Sequence, residues 1–115
     1  MIQLTPHMRI FQCVEPVDFR NGIEGIGGFC RKKLKQDPTS GAVFIFINRR
    51  RNAFKLLVHD GQGMWLCHKR FSQGRIRFWP IGDGVLTAPQ LQVLLYNGHP
   101  SESQISPDWK KISSG

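Results

Sequence analysis

Long hydrophobic runs are missing from this chain. Its longest apolar stretch, Ala42 to Ile47, is far short of the ~20 residues a bilayer crossing needs, so no membrane span is expected. Acid is scarce, with eight Asp and Glu against sixteen Lys and Arg. Paired cysteines are also lacking: Cys13, Cys30 and Cys67 are odd in number and widely spaced. That argues against a disulfide framework and removes the usual signature of structural zinc, leaving buried free thiols as the expectation. Met1 to Arg9 carries no charged-then-apolar secretion pattern, so the expected compartment is the cytoplasm. Catalytic machinery is thin. The carboxylates are scattered, Asp60 and Asp83 sit in glycine turns, and His59 and His68 have no third metal ligand. No phosphate loop, dinucleotide fingerprint or nucleophile elbow occurs. The reading is a protein that is not an enzyme and uses no cofactor or metal.

What is present suffices for one small core: 115 residues, 40% hydrophobic and 10% aromatic. Residues 1–96 read as a single α+β domain. Residues 97–115 read as a loose tail, rich in Ser, Pro and Gly, with Ile105, Trp109 and Ile112 its apolar members. Met8 to Cys13 suggests a first strand. Asp18 stands as a helix N-cap, and Phe19, Ile23, Ile26, Phe29, Cys30 and Leu34 then recur on one helical face. Gly22, Gly25, Gly27 and Gly28 oppose that helix by propensity, and a close approach to a sheet would explain them. Arg31, Lys32, Lys33 and Lys35 favour its C-terminal end through the helix dipole. Asp37 to Gly41 is a turn. Val43–Asn48, Ala53–His59, Met64–Arg70 and Arg75–Trp79 follow as strands, with Asp60-Gly61-Gln62-Gly63 a strong hairpin signal. Thr87 caps a short second helix with Pro89 in its first turn. The expected fold is an antiparallel four- to five-stranded β-meander packed on one N-terminal-half helix, with a short C-terminal helix.

Hairpins closing at Asn48/Ala53, His59/Met64 and Arg70/Arg75 fix which side chains share a face. One face collects Val43, Ile45, Ile47, Phe54, Leu56, Val58, Trp65, Cys67, Ile76 and Phe78, with Lys69 as its charge. This face is assigned to the core under the helix from Phe19. The opposite face is mixed, with Phe46, Lys55, His68 and Arg77 in one row and Phe44, Leu57, Leu66 and Trp79 in the next. Left open, it presents Phe44, Phe46, Leu57, Leu66 and Trp79 to a protein partner beside cations suited to phosphate. Alternatively, the second helix or the first strand covers it and the cations snorkel to its edge.

The net charge of +8 predicts attraction to polyanions, nucleic acid first. The charge is also clustered. Residues 49–77 hold Arg49, Arg50, Arg51, Lys55, Lys69, Arg70, Arg75 and Arg77 against the single acid Asp60. The first and third hairpin loops of a meander share an end, so Arg49 to Arg51 should approach Arg70 and Arg75 as one polycationic rim. Guanidinium groups grip phosphates through paired donors, which makes these eight residues the candidate nucleic-acid contacts.

Several blocks then carry a resemblance: Asp18 to Gly25, Asp37 to Gly41, Val43 to Asn48, Arg49-Arg50, Lys55-Leu56-Leu57, Asp60 to Gly63, Lys69-Arg70-Phe71, Gly74-Arg75, Trp79-Pro80, and Leu86 to Leu91 with Leu94-Leu95. In this order and spacing, over roughly residues 5–96, the chain resembles the TnpB accessory proteins of the insertion-sequence sixty-six family of bacterial transposable elements. It departs from their pattern at Asn21, His59 and His68. The resemblance implies a helper in transposition whose catalytic triad resides in a separate transposase. It makes DNA at the element ends the expected polyanion. The transposase and another element-encoded accessory protein are the expected protein partners. It assigns no binding residues.

Overall fold

The computed structural model describes residues 8–20, 22–79 and 82–96. Its elements in chain order are β1 (Ile10–Gln12), α1 (Ile23–Lys32), β2 (Val43–Ile47), β3 (Ala53–His59), β4 (Met64–Arg70), β5 (Val85–Leu86) and α2 (Ala88–Leu95). The expected tail over residues 97–115 lies outside the described residues. No helix among the described residues is long and apolar enough to cross a membrane.

β-Branched and aromatic residues between strong turns produce the centre of the fold. β2, β3 and β4 form an antiparallel meander in the expected register, with Ile47 opposite Phe54 and His59 opposite Met64. The β3–β4 turn closes because Asp60 N–H donates to the Gly63 carbonyl at 3.0 Å, while the Asp60 carboxylate accepts from the N–H groups of Gln62 and Gly63. Gly61 supplies the positive φ of 97° that the turn requires.

The fourth expected strand does not form. Gly74, at φ 76°, swings the chain away from β4, and the N–H of Ile76 bonds to the Arg51 carbonyl at 2.6 Å. Residues 75–79 therefore cross the end of the sheet as irregular chain and drop Ile76 and Trp79 into the core. The sheet grows on its other side instead. β1 lies parallel to β2 and β5 antiparallel to β1, giving the order β4-β3-β2-β1-β5 in a mixed five-stranded sheet. Adjacent parallel strands need a crossover, and α1 supplies it. Gly84 is required where β5 approaches: its φ is 80°, and a Cβ there would sit 3.1 Å from the Gln12 carbonyl oxygen.

Both faces of the sheet are covered, and β2 is buried from end to end. Val43, Ile45, Ile47, Phe54 and Val58 pack with Ile10, Ile76, Trp79, Leu86, Leu91 and Leu94, under α2 and the crossing segment. Phe44, Phe46 and Leu57 pack with Cys13, Val17, Ile26 and Cys30, under α1. So α1 covers the face opposite to the one expected, because the β1–β2 crossover carries it there. It also begins later: Gly22 is its N-cap, Phe19 precedes it, and Asp18 bonds Arg20 rather than capping. Gly27 and Gly28 are not demanded by a close approach. A Cβ at Gly27 would meet only Pro38 at 3.8 Å, and one at Gly28 nothing within 4 Å. α2 forms as expected, with a reciprocal capping box between Thr87 and Gln90.

Candidate functional site

The β2–β3 connection is held in one shape by a single carboxamide. Asn48 Oδ1 accepts from the N–H groups of Asn52 and Ala53 at 3.0 and 3.1 Å, and its Nδ2 donates to Asn52 Oδ1 at 2.6 Å. Arg51 takes φ 58° to complete the turn. Arg49, Arg50 and Arg51 are thereby presented to solvent from a braced loop.

The second basic run is tied to the same loop through the backbone. Phe71 N–H donates to the Asn52 carbonyl at 2.9 Å, and Ile76 N–H to that of Arg51. Arg70 and Arg75, both exposed, flank these bonds. The two basic runs meet at one end of the sheet as expected, although a crossing segment rather than a hairpin joins them. Arg77 is exposed farther along that segment.

A third strip of chain completes this end. Val17 bridges Asn48 in parallel and donates to the Ile47 carbonyl at 2.9 Å, which brings Asp18, Phe19 and Arg20 beside the loop. Neighbouring depressions here share their walls. One is lined by Asp18, Phe19, Arg20, Arg49 and Arg50, the next by Phe19, Asn48, Arg50, His68 and Arg70, and the last by Asn52, Arg70 and Ser72 to Gly74. The result is a furrow whose charged walls are mainly guanidinium. The nearby acid is neutralised. Asp18 is gripped by the side chain and N–H of Arg20, with Arg49 adding its charge, and its carboxyl is held down at about 2. The imidazole of His68 is lowered by burial, with the Lys55 and Arg70 charges adding to this.

Lys55 and Lys69 turn their ammonium groups away from the arginine rim, Lys55 into the core and Lys69 to the other face. Lys55 is only 7% exposed, its ammonium donates to the Phe19 carbonyl at 2.8 Å, and it lies 5.0 Å from the centre of the Phe19 ring. Lys69 points to the other face. Its ammonium bonds the Leu95 carbonyl at the end of α2, between the Phe71 and Tyr96 rings, and burial lowers its pKa. A count of charges along the sequence reveals neither partner. Phe19, Arg20 and Asn48 build the site without the sequence having singled them out for it. Arg20 carried a signal, since it lies beside a turn and is basic.

The apolar row offered to a protein partner is core. Phe44, Phe46 and Leu57 are fully buried under α1, and Leu66 is half-buried beside them. Trp79 is on the opposite face, 8% exposed, stacked 5.8 Å from Phe54, with Nε1 donating to the Val14 carbonyl at 2.8 Å. Trp65, placed in the core by its register, is 46% exposed because nothing described covers the outer part of β4. Phe78 is likewise exposed. The covering of that face is thus the second of the two readings, with α1 in place of the second helix.

The model of a family described as IS66 Orf2 like protein matches residues 8–104. Among curated proteins, the chain is 35% identical over 86 residues to uncharacterized protein y4jC of Sinorhizobium fredii, covering 75% of this chain and 74% of that one. It is 29% identical over 109 residues to uncharacterized protein y4hO of the same organism, covering 90% and 94%. No solved structure matches it significantly.

Proposed function

The chain belongs to the IS66 Orf2-like family, and from that premise we propose that it is a non-catalytic accessory of insertion-sequence transposition that holds DNA by its phosphates. The observation carrying this reading is the convergence of Arg49, Arg50 and Arg51 with Arg70 and Arg75 on one end of the sheet, tied through Asn52 and Arg51. Guanidinium forks suit phosphate oxygens, and a braced loop loses little entropy when it is gripped. The charged walls of the furrow are mainly guanidinium and the Asn48 amide is taken up within its own loop, so contact is with the backbone and sequence preference is weak.

The test is fluorescence anisotropy with labelled duplexes from the element ends and of unrelated sequence, across a salt series. Binding should weaken steeply with salt, by about 0.9 log unit per log unit of salt for each phosphate neutralised. The triple variant Arg49→Ala, Arg50→Ala, Arg70→Ala should lose at least tenfold in affinity for both duplexes, flatten that slope by about three phosphates, and melt as the parent does. Absence of binding at low salt, or a triple variant that binds like the parent, overturns the proposal.

A further inference from the structure

β4 is an edge strand whose seven residues are all at least partly exposed, and no described segment pairs with its outer side. Hydrogen bonds at the two ends of its ladder fix which groups face out. Asp60 N–H bonds the Gly63 carbonyl and Phe71 N–H bonds that of Asn52, so Trp65, Cys67 and Lys69 turn their backbone groups toward β3. Those of Leu66 and His68 turn outward, open to another strand. Exposed edges are commonly guarded by charge, but here the charge sits at one end only. Met64, Trp65 and Leu66 are uncharged, while His68, Lys69 and Arg70 are basic, with Cys67 between them.

That polarity makes the strand complementary to its own reverse. We propose that two copies of this chain join through antiparallel pairing of β4 with β4, centred on Cys67. In this register all seven residues overlap. Leu66 and His68 exchange backbone hydrogen bonds across the two-fold axis. Each Arg70 faces the partner's Met64, and the stem of each Lys69 faces the partner's Trp65, so no cation meets a cation directly. The Lys69–Trp65 pairing covers the most exposed tryptophan among the described residues. Its ring is already oriented by the bond from Nε1 to Asp60 at 2.7 Å. Such an interface is isologous and small, so the dimer forms at high protein concentration and separates on dilution. It places the two arginine rims at opposite ends of one continuous sheet.

Cys67 is the probe. It occupies a non-hydrogen-bonded pair on the axis, where Cα atoms lie about 4.5 Å apart, within disulfide range. Cys13 and Cys30 are buried. With copper–phenanthroline as oxidant, the full chain should give a covalent dimer that reducing agent reverses. The yield should fall at least tenfold in Cys67→Ser and in Leu66→Pro, which removes an outward N–H and leaves the β3 ladder intact. Light scattering without oxidant should show the mass of the parent doubling with concentration and that of Leu66→Pro staying monomeric, with circular dichroism confirming its fold. Should Leu66→Pro fail to fold, Cys67→Lys, which sets like charges on the axis, replaces it in the light scattering, and His68→Pro, which removes the other outward N–H, replaces it in the cross-linking. A parent monomeric at several hundred micromolar, or cross-linking indifferent to a folded edge variant, overturns the proposal.

Discussion

Asn48 illustrates how much of a site can depend on one side chain. Its carboxamide satisfies two backbone donors that the turn would otherwise leave unpaired. Asn48→Ala should cost about 1–3 kcal/mol in urea or thermal unfolding and weaken DNA binding as well, since the arginine loop loses its brace. Asp60 makes the corresponding point about pH. The N–H of Gln62, the Trp65 indole and the N–H of Gly63 hold its carboxyl at about 2, below the usual ~3.9. A folded-state value below the unfolded one adds stability above the unfolded value, and that stability is lost as pH falls toward about 2. Melting temperature against pH should therefore fall less steeply below pH ~4 in Asp60→Asn than in the parent. At this scale the sequence disclosed residue type and turn membership. It did not disclose that Lys55 would spend its ammonium on the Phe19 carbonyl, a partner 36 residues away in the chain.

The elements show where local signals suffice. β3 and β4 have the boundaries their alternation predicts, and the Thr87 box starts α2 where its residues say it should. α1 is the contrasting case. It is a short helix in which no neighbour requires Gly27 or Gly28, so it forms because Ile26 and Cys30 are buried against the sheet. Gly28→Ala should raise stability by up to about 1 kcal/mol, read as a melting temperature higher by roughly 4–8 °C, since the added methyl meets nothing. A lower melting temperature would show that the helix needs that glycine after all.

Across the whole molecule, the crossing segment joins core and rim. Trp79 stacks on Phe54 and bonds Val14, and the chain leading to it passes Arg75 beside the arginine loop. Trp79→Ala should cost about 3–5 kcal/mol and reduce DNA affinity in the same variant, because Arg75 loses its fixed place. Trp65→Ala should cost less, about 1 kcal/mol, its ring being half in solvent and its indole bonding the exposed Asp60 carboxylate. Denaturation and anisotropy on the two variants compare the tryptophans directly. Equal losses would contradict the assignment of Trp79 to the core and Trp65 to the surface.

The amino-acid sequence by itself determined the α+β class, the central meander and its register, the capped second helix, the excess of positive charge and the family. The family rests on the order and spacing of blocks along the chain, and the others on contacts a few residues apart or on composition, where turn chemistry and alternation act alone. The partner of β1, the face that α1 covers, the fate of Arg75–Trp79 and the exposure of Trp65 were decided only by the tertiary structure. β2 is apolar on both sides, so its alternation cannot say which layer lies over which face. That choice is made when a parallel crossover carries α1 to one side and the chain after Gly74 closes the other.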